Sequence, residues 1–202
     1  MSADARTLAF YAEAAARYAD AFGRDEERQE AQHFLAYLPA PGARILDLGC
    51  GPGNASAVFV AAGHRPDPVD ASAEMVAIAR DRHGLPARQG TFDDDFGAQS
   101  YDGIWASYSL LHARRAELPG LIARLARALR PGGPLYLGLK LGEGEGRDAL
   151  GRHYAYVGEA ELRDWLAAAG LAVVSWHTDV KRGCAGTDDP CVDLIARAPA
   201  DG

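Results

Sequence analysis

The residues best suited to chemistry lie in ILDLGCGPGN (45–54), where Gly49, Gly51 and Gly53 follow an apolar run and precede ASAVFVAAG (55–63). Glycine permits a tight turn and lets a ligand touch the backbone, and a helix start presents free N–H groups. A dinucleotide turn needs G-x-G-x-x-G, so that a pyrophosphate sits on that helix end. Counted from Gly49, the third glycine of that pattern falls at Asn54, and the spacing here is G-x-G-x-G. Asp47 adds a carboxylate, which repels a pyrophosphate and attracts a cationic amino group. A second acid, Asp70, ends the next apolar stretch, where an acid accepts hydrogen bonds from the cis hydroxyls of a ribose. The implied ligand carries a ribose and an ammonium group and no phosphate. S-adenosylmethionine fits that description better than NAD does.

These residues need strands to end at them and helices to start beyond them. ARILDLG (43–49) reads as a buried parallel strand. A strand ends in PVD (68–70). Pro66 and Pro68 should keep it short, about residues 67 to 70, because proline removes a ladder donor. SAEMVAIARDRHG (72–84) is a helix with Ser72 as its cap and Gly84 as its stop. Strands follow at 86–90 and 101–107, then a helix at 114–130 with a leucine stripe, and a strand at 134–140. Segment 141–162 reads as a glycine-rich loop leading into a helix at 159–169, with strands at 171–178 and 191–198. Before all of this, residues 4–38 form a helical segment: Leu8, Tyr11, Ala15, Tyr18 and Phe22 recur at helical spacing, and a second stretch covers 24–38. Strands alternating with helices imply a mainly parallel sheet covered on both faces, with its ligand at the carboxyl ends of the strands.

Four stretches in order, ILDLGCGPG, VDASAEMVAIAR, YDGIWASYSLLH and LRPGG, resemble the successive motifs of class I S-adenosylmethionine-dependent methyltransferases over residues 44–140. The resemblance implies an α/β fold with a doubly wound, mainly parallel seven-stranded sheet whose last strand is antiparallel, with helices on both faces and an N-terminal helical cap. It implies one methyltransferase domain over 1–202: a cap at 1–40, a cofactor-binding core at 43–140, and a substrate-side loop and the rest of the sheet at 141–202. The cofactor would be S-adenosyl-L-methionine, with S-adenosyl-L-homocysteine as product. The turn residues Gly49, Cys50, Gly51 and Asn54, with Asp47, would hold the methionine part, Cys50 serving for its small size and not as a nucleophile. Asp70 would bind the ribose, and Ala71 and Met75 would border the adenine. Thr91 stands where the family often has an aspartate that reads the adenine amino group, so Thr91 and Phe92 would line the adenine by backbone and packing. Ala106 and Ser107 would face the sulfonium, and Tyr11 and Tyr18, on one helix face, would cover the cofactor as a lid.

Methyl transfer from a sulfonium needs a general base only when the acceptor is a poorly acidic hydroxyl or a protonated amine. His112 and His153 are the candidates, each also readable as a partly exposed histidine bonded to backbone. Tyr108, Arg152 and Tyr154 are candidate substrate contacts, an arginine suiting an anionic group. Arg147 and Tyr156 belong to the same segment.

Composition narrows the acceptor. The chain has 202 residues, 48% hydrophobic and 24% charged, with a formal net charge of −7. Phosphate-gripping proteins need a basic face, and the longest basic cluster is Arg114-Arg115. The fourth strand ends Ala106-Ser107-Tyr108-Ser109, without the Pro-Pro-aromatic run of methyltransferases acting on nucleic-acid amino groups. The expected acceptor is a small molecule, with no nucleic-acid and no membrane partner, for a monomer or weak homodimer. No apolar stretch approaches the roughly 18 residues of a membrane span. The N-terminus lacks an uninterrupted apolar segment and a clear cleavage site, so no signal peptide is expected. Three cysteines, Cys50, Cys184 and Cys191, suggest the reducing cytoplasm, and no metal site is expected from them. An NAD-dependent enzyme and a cofactor-binding module without transferase activity are the rival readings.

Overall fold

A computed structural model describes residues 4–21, 24–39 and 41–200. Phe22, assigned above to the helical stripe, lies outside them. Helices α1 (Ala5–Ala21) and α2 (Arg24–Leu35) precede strand β1 (Arg44–Leu48). Helix α3 (Asn54–Ala61), strand β2 (Arg65–Asp70), helix α4 (Ala73–His83) and the two-residue strand β3 (Arg88–Gln89) follow. Strand β4 (Gly103–Ser107) leads through short 3-10 turns at 110–112 and 115–117 into helix α5 (Leu118–Ala128) and strand β5 (Pro134–Lys140). Strands β6 (Glu145–Arg147) and β7 (His153–Ala155), helix α6 (Glu159–Ala168), and strands β8 (Ala172–Arg182) and β9 (Asp188–Arg197) complete the order.

Seven strands form one sheet in the order β3-β2-β1-β4-β5-β9-β8. The pairs from β3 to β5 are parallel. Strand β9 runs antiparallel to both β5 and β8. Alternation along the strands divides the core. Ile45, Trp105, Tyr136 and Ile195 pack with Phe34 of α2 and Phe59 of α3. Leu46, Leu48, Ile104, Leu135 and Leu137 pack with the leucines of α5 and α6 on the opposite face. The Trp105 and Tyr136 rings stack with centroids 3.8 Å apart, and Phe34 meets Trp105 edge-on at 5.5 Å. Helix α4 starts and stops as expected: Ser72 Oγ accepts from the Met75 amide, and Gly84 takes a left-handed φ of 63°.

Three expectations are corrected. Strand β2 is not cut short by its prolines. The Arg65 amide donates to Ala43 of β1, whereas Asp70 O accepts from Gly90 on the β3 side. Odd residues of β2 therefore bond β1 and even ones face β3. Pro66 and Pro68 lack their N–H groups only on that side, where β3 pairs just Val69 and Asp70. Segment 141–162 is more than a loop, since β6 and β7 pair there as an antiparallel hairpin. The strand expected at 171–178 extends to Arg182, and the last strand begins at Asp188, so the β8–β9 hairpin is longer than its apolar pattern implied.

Candidate functional site

A cavity of about 280 Å³ opens at the carboxyl ends of β1, β2, β4 and β5. One side is the turn after β1. Gly49 has φ 78°, and a Cβ there would fall 2.3 Å from Ser109 Cβ, so only glycine lets the turn pass the loop after β4. The amides of Gly49 and Cys50 both donate to Val69 O, at 2.8 and 3.0 Å, tying the turn to β2. Asp70 faces this turn. Its Oδ2 accepts from the Gly51 amide and its Oδ1 from the Ser72 amide, each at 2.8 Å, which leaves lone pairs on both oxygens. Burial pushes its carboxyl above the usual carboxylate range. Ala71, Met75, Thr91, Phe92 and Ser107 continue this wall, with Tyr11 and Tyr18 of α1 across it. The Tyr11 and Tyr18 rings meet edge-on with centroids 5.5 Å apart.

Three sequence-derived cofactor residues stand off the cavity surface. Asp47 is 1% exposed, and its carboxylate accepts from Ser56 Oγ at 2.6 Å. It shares the strand face of Ile45, which points toward α2 and α3, so it supports the turn from behind. Burial raises it to about 7. Ala106, in β4, is fully buried in the core beside Leu46 and Ile104. Asn54 directs its amide to Glu27 Oε2 at 3.1 Å. Glu27, on α2, lines the cavity, and burial with the nearby Asp47 charge lifts it to about 8. In sequence it is one acid in the charged run RDEERQE, which reads as a solvated helix face.

The other side is built by α1, β7, the loop after β4 and the β8–β9 hairpin. Of the two candidate bases only His112 lines the cavity. Its Nδ1 lies 2.6 Å from His153 O, which can only accept, so that nitrogen carries the proton. Its Nε2, 3.0 Å from Tyr11 Oη, then accepts the tyrosine proton. Burial pushes His112 down to about 4 and Tyr11 up to about 12. His153 turns its ring to Ala113 O at 3.2 Å, outside the cavity wall. Arg152 is 1% exposed, holds Asp148 through Nε and Nη2 at 3.0 and 2.6 Å, and reaches Tyr11 Oη at 3.3 Å. Tyr154 lines the same wall and carries Lys140 Nζ at 4.1 Å from its ring centroid. Lys140, 8% exposed, pairs with Asp189 at 2.7 Å. Tyr108 has a left-handed φ of 50° and donates to Asp193 at 3.1 Å. Arg147 is drawn away to Asp4, fastening α1 to the β6–β7 hairpin.

Sequence reasoning missed Glu27, Glu30, Lys140, Lys181 and Cys184, all in the wall. The last two lie at the tip of the β8–β9 hairpin, and no local pattern announced that it would fold over the site. Lys181 pairs with Glu30 and, at 2.7 Å, with Asp193. The Tyr136 hydroxyl lies 2.8 Å from Glu30 and 2.7 Å from Asp193. Burial, reinforced by the Asp193 charge, raises Glu30 against the pull of Lys181.

Sheet order and cavity define a Rossmann-like protein with a nucleoside-type site. Residues 45–133 match the model of the methyltransferase domain family. The trans-aconitate 2-methyltransferase of Variovorax paradoxus is 35% identical over 76% of this chain and 68% of its own length. The malonyl-[acyl-carrier protein] O-methyltransferase of Pectobacterium atrosepticum is also 35% identical, but the shared region is 57% of this chain and only 49% of that relative. The 1,6-didemethyltoxoflavin-N1-methyltransferase of Burkholderia thailandensis, solved with 1,6-didemethyltoxoflavin and S-adenosylhomocysteine, superposes with a TM-score of 0.76. It is 25% identical, and the superposition covers 96% of this chain and 88% of that one. The chain belongs to the S-adenosylmethionine-dependent methyltransferases. The residues present suit that family's cofactor: the wall from Leu48 to Pro52, from Asp70 to Met75 and from Gly90 to Phe92 contains one acid, Asp70, and no lysine, arginine or histidine. A pyrophosphate finds no counter-charge there, whereas a ribose and an ammonium group do. No described helix is long and apolar enough to cross a membrane.

Proposed function

We propose that this chain methylates a small organic acid on its carboxylate, using S-adenosylmethionine. The observation that carries the reading is the state of His112. Both its nitrogens are engaged, and burial removes its basicity at neutral pH. A site without a competent base beside its acceptor suits a nucleophile that arrives already deprotonated. Lys140 and Arg152 on the same wall, each already bonded to an aspartate, offer further N–H donors to an anion there. The likeness to trans-aconitate 2-methyltransferases agrees with a carboxylate acceptor.

When bound, the cofactor supplies a methyl group on a sulfonium whose departure as a neutral thioether needs no acid. Gly49, Cys50 and Gly51 would hold its methionine part, Asp70 its ribose, and Ala71, Met75, Thr91 and Phe92 its adenine. Ser107 would border the reacting end. Tyr11 and Tyr18 would roof the site and exclude water, while Tyr108, Arg152 and Tyr154 would orient the acceptor. The chain's work is alignment and dehydration.

The test is transfer of labelled methyl from S-adenosylmethionine to a panel of small di- and tricarboxylic acids, phenols and amines. Base-labile label on the acids is expected. Label on phenols or amines alone contradicts the carboxylate reading, and bound cofactor without any transfer favours a binding module.

A further inference from the structure

Glu27 has no cation among the described residues. Its hydrogen bond comes from Asn54, at 3.1 Å. Asp47 stands behind it on Ser56 Oγ, and Asp70 is held by two backbone amides. Glu27 and Asp70 thus face one side of the cavity with Asp47 behind them, and no basic side chain among the described residues pairs with any of the three. Their neighbour Glu30 shows the alternative, since Lys181 neutralises it. Burying carboxylates beside each other costs free energy unless a cation joins them. The family's cofactor brings one ammonium group, at its methionine end, and the glycine turn beside Glu27 leaves the space: a Cβ at Gly51 would meet nothing within 4 Å.

We propose that Glu27, from the N-terminal cap, is the counter-charge for the cofactor's ammonium group, with Asp47 a buried support and not the direct partner. This rests on the reading of the cavity as a cofactor site. Asn54 opens α3 directly after the glycine turn and fixes the Glu27 carboxylate toward it. Glu27 is a positioning residue in this scheme and takes no part in the transfer. The charged groups that raise its carboxyl are Asp47 and Glu30, both acids, and they favour a cation there.

Calorimetry tests this with two ligands: S-adenosylhomocysteine, and its analogue carrying hydrogen in place of the amino group. Wild type is expected to bind the amino-bearing ligand roughly ten- to a hundredfold tighter, the range of a charged hydrogen bond. Glu27→Gln keeps an acceptor for Asn54 and should bind the two equally. At neutral pH, where burial keeps Glu27 protonated with its pKa at about 8, wild type should also release protons on binding. Titrations in two buffers of different ionisation heat read that release, and Glu27→Gln should release fewer. A variant that keeps the full wild-type preference overturns the proposal. So does a wild type that binds both ligands equally. A wild type that binds neither overturns the cofactor reading beneath it as well.

Discussion

The Tyr11 hydroxyl donates to Nε2 of His112 across 3.0 Å, while the Nδ1–H of the same ring donates to His153 O at 2.6 Å. This fixes a neutral imidazole with both nitrogens in use, and it joins the first helix to the loop after β4. Burial places the histidine at about 4, so its charge does not change near neutrality. Single-turnover methyl transfer should therefore be flat between roughly pH 6 and 8, the window in which an ordinary histidine titrates. His112→Gln should slow the reaction by loosening Tyr11 without altering the shape of the profile. A rising limb in wild type that this variant removes would restore His112 as a general base.

Lys140, buried in the acceptor wall, pairs with the half-buried Asp189, 2.7 Å away. Removing one partner leaves an uncompensated charge, so the informative variant removes both. Lys140→Met combined with Asp189→Asn should raise the KM for carboxylic acids by roughly tenfold, about the worth of one charged hydrogen bond. The Kd for S-adenosylhomocysteine should stay unchanged. A rise in that Kd with an unaltered acceptor KM would place Lys140 on the wrong ligand.

Gly49→Ala and Gly51→Ala form a matched pair. Both glycines have positive φ, but a Cβ at Gly49 lands 2.3 Å from Ser109 Cβ, and one at Gly51 meets nothing within 4 Å. Gly51→Ala should cost about 1 kcal/mol for its backbone alone. Gly49→Ala adds a clash that must shift the loop after β4, and its melting temperature should fall further, by about 2–4 °C for each additional kcal/mol. Equal melts for the two variants would refute the contact.

Burial lifts Glu27 to about 8 and Asp47 to about 7. In the unfolded chain both titrate near about 4. Between those values the folded protein holds protons that the unfolded chain has lost, so stability falls as pH rises through that window. Glu27→Gln removes its share of the penalty. The ligand-free variant should melt above wild type at about pH 8, by at least about 1 kcal/mol, and equal to it near pH 4. Lower stability at both pH values would show that Glu27 is paired in the free protein.

Much of the scaffold was legible because it rests on local signals: apolar runs ended by glycine turns, a Ser72 cap, a leucine stripe on α5. The walls from Gly49 to Gly51, Asp70 to Met75 and Thr91 to Phe92 were legible too, since motif and strand end coincide there. Asp47 stands off the cavity wall, and that placement was within reach of the sequence. Strand alternation puts it on the face of Ile45, away from the strand's open end. Glu27 was invisible, because a charged helix does not disclose which of its acids the tertiary fold will bury. The same holds for Lys181 and Cys184, which reach the cavity only through a hairpin register set by pairing from Ala172 with Arg197 to Arg182 with Asp188.

Asp70 has each of its oxygens held by one amide at 2.8 Å, with lone pairs left over for a sugar. Titration calorimetry with S-adenosylhomocysteine, on wild type and on Asp70→Ala, tests that role most directly. One binding site in wild type is expected, with a Kd raised by roughly tenfold or more in the variant. No heat from wild type, or an identical Kd in Asp70→Ala, would contradict the account.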